Sequence, residues 1–230
     1  MPAEGLTVFS RIEADDRVRE ILALAVSAGL DVREASKTDL DALSGGAAHQ
    51  GIALIVKPFA YADLADLVEG QAHPLVVALD GIQDPRNLGA ILRSAAAFGA
   101  SGVLIPERRA ASVTAAAWKA SAGSASRVKV ARVANLVRSV ASLKGRGCFV
   151  VGLDAAAEVP LRDCPLLEEP LVVVVGSEGK GLSRLMAAEC DQLVSIPISK
   201  ATESLNASVA ASVALYEAGR AREGRGRGQR

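Results

Sequence analysis

From residue 74 onward, short β-branched runs alternate with stretches of helical spacing, and no other feature of the chain limits its fold as much. Strands are expected at 75–79, 102–105, 128–130, 148–151, 171–175 and 193–196. Between and after them, helices are expected at 85–98, 112–122, 135–143, 182–188 and from about 205 to 220. Runs such as Leu171-Val-Val-Val-Val175 carry no alternating polar residue, so they read as strands buried on both faces. Strand–turn–helix repetition of this kind makes a parallel sheet wrapped by helices on both sides, an α/β fold. Half the residues are apolar but only 3% are aromatic, so Val, Leu, Ile and Ala must fill that core.

The segment before residue 74 has a different rhythm. Val18, Ile21, Leu22 and Ala25 recur at helical spacing over 15–26, and Gly29 closes that helix. An extended piece at 30–32, a helix at 37–43, a turn at 44–46 and a buried strand at 51–56 complete a small α/β unit. The expected organisation is a first domain at 1–57, a linker at 58–73 with a helical stretch at 61–69, a main domain at 74–220 and a tail at 221–230. The tail is rich in Arg and Gly and is expected to be disordered, suited to loose contact with phosphates or to none.

Charge and cysteine content narrow the function classes. With 26 basic and 26 acidic residues the formal net charge is +0, so any recognition of a polyanion must be local. Cys148, Cys164 and Cys190 stand far apart, form no C-x-x-C pair and imply neither a disulfide framework nor a metal site. No apolar run reaches the ~20 residues of a membrane span, and the N-terminus lacks the pattern of a signal peptide. A cytoplasmic protein without membrane attachment is the expectation.

In a parallel sheet ligands bind beyond the carboxyl ends of the strands, which selects three loops, 80–93, 176–181 and 197–208. The loop Gly176-Ser-Glu-Gly-Lys-Gly181 has the spacing G-x-x-G-x-G, which is neither a dinucleotide fingerprint nor a P-loop. Glu178 in its middle would repel a phosphate held by backbone amides, so a neutral or cationic ligand fits better, or the loop is a simple glycine turn. Asp84 and Pro85 read as N-cap and first residue of the following helix, where Asn87 and Arg93 are polar among Ala, Leu and Ile. In the third loop Ser204, Asn206 and Ser208 interrupt the start of an apolar helix. Ser204 also serves as an N-cap in the plainer reading, whereas Asn206, a poor helix former, calls for a further role.

Taken in order, Asn87-x-Gly-Ala-x-x-Arg93, Val175-Gly-Ser-Glu-Gly-x-Gly181 and Ile196-Pro-Ile198 with Ser204-Leu-Asn206 resemble the SPOUT-class SpoU/TrmH family of RNA ribose 2′-O-methyltransferases. Residues 116–123 and 130–136 resemble the branch that acts on 23S ribosomal RNA guanosine. The likeness runs almost continuously over 75–220 and extends weakly to 43–51. It implies a catalytic domain whose C-terminal segment is threaded as a deep trefoil knot, preceded by a small α/β substrate-binding domain. It implies S-adenosylmethionine as cofactor, RNA as partner, a homodimer with its active site at the interface, and no metal.

By the same resemblance Arg93 matches the catalytic arginine, while Asn87, Glu178, Ser204 and Asn206 match residues that hold it, the RNA and the cofactor. Gly176, Ile196, Ile198, Leu205 and Ser204 match cofactor contacts. A guanidinium is a weak base, with a pKa above ~12. Arg93 is therefore read as binding the adjacent phosphate and orienting or acidifying the 2′-hydroxyl, with Glu178 as its expected ion-pair partner. Related chains carry a further strand and helix before the equivalent of residues 6–9, so either the true start lies upstream or the first domain is shortened. His49 and Gln50 either touch RNA or satisfy their own turn. Trp118, among alanines, reads as a packing residue of the core or of a dimer. Three alternatives stand beside the ribosomal reading: a transfer RNA substrate, a catalytically silent RNA-binding module of the same fold, and a dehydrogenase-like nucleotide enzyme, which the glycine spacing disfavours.

Overall fold

Local capping explains where several helices begin. In the computed structural model, which describes residues 3–9, 15–46, 48–199 and 202–227, Asp15 accepts the Val18 N–H at 2.8 Å and starts α1 (Asp16–Ser27). Ser36 and Asp39 form a reciprocal capping box that starts α2 (Lys37–Leu43). With β1 (Ala3–Phe9), β2 (Asp31–Ala35) and β3 (Ile52–Val56) these helices form one compact unit, residues 1–60. Its sheet has the order β2-β1-β3, with β1 parallel to β2 and antiparallel to β3. Val8 and Ala25 are buried at its centre, against Leu22, Leu30, Val32 and Ile52.

The second unit, residues 61–230, is the parallel sheet the alternation predicts. In chain order its strands and helices are β4 (Leu75–Asp80), α3 (Pro85–Ala97), β5 (Gly102–Pro106), α4 (Ala115–Ala120), β6 (Lys129–Val133) and α5 (Leu136–Lys144). They continue with β7 (Phe149–Leu153), β8 (Leu171–Gly176), α6 (Arg184–Glu189), β9 (Gln192–Val194) and α7 (Ala207–Arg227). The sheet order is β6-β5-β4-β8-β7-β9 and every pairing is parallel. β4 and β8 lie at the centre, buried on both faces except at their last residues. Their register sets Asp80 opposite Gly176, so the loops that leave them start side by side where the strand order switches.

Three expectations change. The stretch 61–69 is no regular helix; it holds one 3-10 turn, Ala65–Leu67. The Ala62 N–H donates to the Val130 carbonyl at 2.8 Å, which draws this stretch against β6 instead of letting it coil. Leu67 is fully buried, and a Cβ on Gly102 would come within 2.4 Å of its Cδ2. The latter half of the supposed 58–73 linker is thus integral to the second unit. The tail also departs from expectation, because α7 continues to Arg227. The Arg222 guanidinium reaches back under the sheet and donates to the carbonyls of Leu167, His73, Pro74 and Glu169, at 3.0, 3.2, 3.3 and 2.6 Å. Those carbonyls flank the starts of β4 and β8, and Arg supplies a planar fork of five donors that such a cluster can use. The end of the Arg/Gly tail, 228–230, lies outside the described residues.

Candidate active site

Gly176 ends β8 without a left-handed conformation, yet a side chain there is excluded. A Cβ would meet the Gly181 carbonyl carbon at 2.2 Å, because Ser177 and Gly181 exchange backbone hydrogen bonds at 3.1 and 2.9 Å. That short bridge closes the glycine loop, with Gly179 and Gly181 at φ 76° and 63°, and holds Glu178 at its tip. The carboxyl end of β4 braces the same loop: Asp80 Oδ2 accepts the Ser183 N–H at 2.7 Å.

Glu178 is the hub of the site. Its Oε1 accepts from Asn87 Nδ2 at 2.9 Å, from Asn206 Nδ2, and from the Ala207 N–H at 3.4 Å. Asn206 Nδ2 also donates to Asn87 Oδ1 at 3.1 Å. Residues from loops about 90 and 30 positions away in sequence therefore meet on one carboxylate oxygen. Asn87 is presented by the first turn of α3, which Asp84 caps and Pro85 opens.

Capping of α7 falls to Asn206 and not to Ser204. Asn206 Oδ1 accepts from the Ser208 N–H at 2.9 Å and the Val209 N–H at 3.4 Å, and from the Ser208 hydroxyl at 2.6 Å. One carboxamide thus fixes the helix start with its oxygen and the Glu178 carboxylate with its nitrogen. This is the further role that its poor helix propensity pointed to.

Among the described residues of this chain Glu178 meets no arginine; two carboxamides and a backbone N–H contact it instead. Arg93 lies about one and two-thirds turns beyond Asn87, which turns it roughly 120° around the helix. It is exposed and has no partner among the described residues. Its neighbour Ser94 meets Ser212 hydroxyl to hydroxyl at 2.7 Å, which ties α3 to α7. Of the five residues expected at the catalytic centre, Asn87, Glu178 and Asn206 are joined by hydrogen bonds, Ser204 shares a cavity wall with Glu178, and Arg93 makes no contact with them among the described residues.

Two cavities flank the glycine loop and share its residues Ser177, Glu178, Lys180, Gly181 and Leu182. One, of about 480 Å³, is lined by all five expected cofactor contacts, Gly176, Ile196, Ile198, Ser204 and Leu205. Asp154 and Ala155, at the end of β7, also line it, as does Glu203. These were missed, although the rule that ligands sit at strand carboxyl ends applies to β7 as well. The volume suits a ligand of nucleoside size, the apolar side chains suit an adenosine, and the carboxylates of Asp154 and Glu203 suit a sulfonium and an ammonium. The donor set therefore fits S-adenosylmethionine. Lys200 and Ala201, in the third loop, lie outside the described residues. The other cavity, of about 840 Å³, lies between the glycine loop and the loops after β4 and β5.

The sequence profile of the SpoU rRNA methylase family matches residues 74–216. The chain belongs to that family. A second profile, for RNA 2′-O ribose methyltransferase substrate binding, matches residues 7–62. A chain from Mycobacterium avium named an uncharacterized tRNA/rRNA methyltransferase is 53% identical over 227 residues, 97% of this chain and 73% of the relative. Among solved structures, the SpoU methyltransferase AviRb from Streptomyces viridochromogenes, in complex with the cofactor AdoMet, is 27% identical with a TM-score of 0.78. That match covers 96% of this chain and 84% of AviRb. The AdoMet-bound rRNA methyltransferase from Sinorhizobium meliloti is 28% identical with a TM-score of 0.78, over 95% of this chain and 80% of the other. The SpoU chain is an S-adenosylmethionine-dependent RNA methyltransferase, with a substrate-binding domain ahead of its parallel-sheet catalytic domain. Among the described residues no helix is long and apolar enough to cross a membrane, and Cys148, Cys164 and Cys190 are free thiols.

Proposed function

We propose that this SpoU chain methylates a ribose 2′-hydroxyl of ribosomal RNA, a guanosine of the 23S molecule, working in the cytoplasm as a homodimer. The observation that carries this reading is the convergence of Asn87, Glu178 and Asn206 at the loop between two cavities. Such a hub sits where a methyl donor on one side and an acceptor on the other would meet. The substrate-binding profile over 7–62 and the likeness of residues 116–123 and 130–136 to the 23S guanosine branch favour ribosomal RNA over transfer RNA. The C-terminal segment leading into α7 would be the threaded part of a trefoil knot, with residues 196–206 as its cofactor-binding end.

When bound, S-adenosylmethionine supplies an electrophilic methyl carbon on a sulfonium. Gly176, Ile196, Ile198, Ser204 and Leu205 hold it in the smaller cavity, largely through backbone and apolar contact. Asn87, Glu178 and Asn206 keep the loop walls of both cavities in fixed relation, and fixed orientation is worth up to ~7–11 kcal/mol in a displacement of this kind. With the cofactor held there, the chain's part would be to set the 2′-oxygen in line with the methyl carbon and the sulfur, so that the methyl group could pass to oxygen as the carbon–sulfur bond gave its electrons to sulfur. Arg93 binds the neighbouring phosphate and orients and acidifies that hydroxyl.

Arg93 is turned away from the Glu178 hub of its own chain, which fits a site completed by a second copy. It shares its stripe of α3 with the small residues Ala90 and Ala97, and on the adjoining α7 Val209 and Tyr216 are 47% and 52% exposed. A face of small and apolar residues beside an unpaired arginine suits a self-complementary interface.

The test is methyl transfer from radiolabelled S-adenosylmethionine to ribosomal and transfer RNA isolated from a strain deleted for the gene, with 2′-O-methyl sites mapped. Label in a 23S guanosine is expected. Label confined to transfer RNA would overturn the substrate, and no label in any RNA would leave only the silent-module alternative.

A further inference from the structure

The larger cavity holds cations that nothing in the chain uses. Arg108 and Arg109, in the loop after β5, line it from one side and Lys180 lines it from the glycine loop. All three are exposed, and none has a hydrogen-bond or ion-pair partner among the described residues. Three carboxylates line the same cavity, but each is committed. Asp80 accepts the Ser183 N–H, Asp84 caps α3, and Glu178 holds Asn87 and Asn206. The cavity is therefore formally balanced; one oxygen of each carboxylate already accepts within the fold, whereas the three cations make no such contact. An exposed guanidinium with no partner in the fold is free to take a phosphate through paired, charge-assisted hydrogen bonds.

The other walls narrow the class of anion. Ile82, Pro106, Leu136 and Leu182 provide an apolar side, and the Gln83 carboxamide is exposed at the mouth. Asn87 and Glu178 also line this cavity, and Glu178 lines the smaller cavity as well. An apolar wall with one amide and a cationic edge matches the parts of a nucleotide: a base plane, a base edge and a phosphate. Arg109 adds a backbone observation. Its φ is 57°, in the left-handed region that non-glycine residues rarely occupy. Holding an arginine there is unfavourable, while the preceding Glu107 carbonyl is fixed by Arg132 Nη2 at 3.3 Å and the following turn by Ala111 N–H to Ile82 O at 2.8 Å. The loop is clamped at both ends, and the two consecutive guanidiniums are displayed between the clamps.

We propose that this cavity seats the acceptor nucleotide of the RNA, with Arg108 and Arg109 as a phosphate clamp and Lys180 as a third cationic contact. This deepens the methyltransferase reading and rests on it, since the smaller cavity is there assigned to the methyl donor. The clamp positions the strand and reads no base; discrimination falls to Gln83 and the apolar wall. It is separate from Arg93, which leaves the cavity along α3.

The experiment uses the full chain and the double variant Arg108→Gln/Arg109→Asn. Asparagine tolerates the left-handed conformation, so the second change removes the cation without adding strain. Affinity for protein-free ribosomal RNA is measured as a function of KCl, together with calorimetric binding of S-adenosylmethionine and methyl-transfer kinetics. The expected result is unchanged S-adenosylmethionine binding, a KM for RNA raised at least tenfold, and a salt slope shallower by about 1.4 on the ~0.7 per phosphate of a single strand. An unchanged KM and salt slope in a double variant that still transfers methyl groups would overturn the clamp and leave the methyltransferase reading intact. A wild-type protein whose RNA binding depends on Arg108 and Arg109 but which transfers no methyl group would overturn that reading and leave the clamp.

Discussion

Asn206 and Glu178 meet through the nitrogen of the asparagine carboxamide, while the oxygen of that same carboxamide caps α7. The start of the last helix and the tip of the glycine loop are therefore one rigid object, and Asn87 locks it to α3. Because one residue carries both a structural and a site function, substitutions can separate the two.

Asn206→Asp keeps a good N-cap but sets a carboxylate against Glu178; Asn206→Ala loses both partners. The alanine variant is expected to lose about 1–2 kcal/mol of stability from the cap, and both variants to lose at least a hundredfold in methyl transfer. In the aspartate variant two like charges face each other, which weakens the contact between the glycine loop and the start of α7. Urea unfolding and methyl-transfer rates check this; an aspartate variant with wild-type turnover at neutral pH would remove the Asn206–Glu178 contact from the site.

Gly176→Ala places a methyl group where the Gly181 carbonyl carbon stands, 2.2 Å away. The Ser177–Gly181 bridge has to open, with an overpacking cost of about 1–3 kcal/mol. Calorimetry is expected to show S-adenosylmethionine affinity reduced at least tenfold with the sheet intact by circular dichroism. Unaltered affinity would mean that the bridge does not shape the smaller cavity.

Arg222→Ala withdraws a guanidinium from four backbone carbonyls at the starts of β4 and β8. Water will re-solvate part of the cluster, so a loss of roughly 2–4 kcal/mol is expected, from hydrogen bonds of a charged donor. Lysine, a point donor without the fork, should recover only part of it. The check is the urea midpoint at constant m-value; a shift below 0.5 kcal/mol would show that α7 could end earlier at no cost.

Burial, reinforced by Asp191, pushes the Cys190 thiol up to about 11 from an ordinary 9.0. The folded state then holds its proton where the unfolded state releases it. This contribution is fully present below pH 9 and is lost as pH rises towards 11. Lys144, raised by its hydrogen bond to Asp191, acts in the same direction. Denaturant titrations from pH 8 to 11 should show stability falling, and Cys190→Ala should flatten the fall. An identical slope in the variant would assign the whole effect to other groups.

Much of the architecture is legible in the linear chain, because its signals are local. Uninterrupted apolar runs give β4 and β8, and Asp84-Pro85 gives the start of α3. Where the reading fails, a distant partner decided. Residues 61–69 have helical spacing, but β6 claims the Ala62 N–H and the core claims Leu67. The tail is low in complexity, but carbonyls from two strand starts hold Arg222.

The fold class, the three loops at the strand ends and the residue types gathered there follow from the linear chain, since propensity, spacing and motif order are local properties. Which of those residues meet depends on how the chain is folded. The register of β4 on β8 brings the loops together, and with them Glu178, Asn87 and Asn206, while the pitch of α3 turns Arg93 away. A motif records which side chains are present; the sheet register and helix phase set their directions in space.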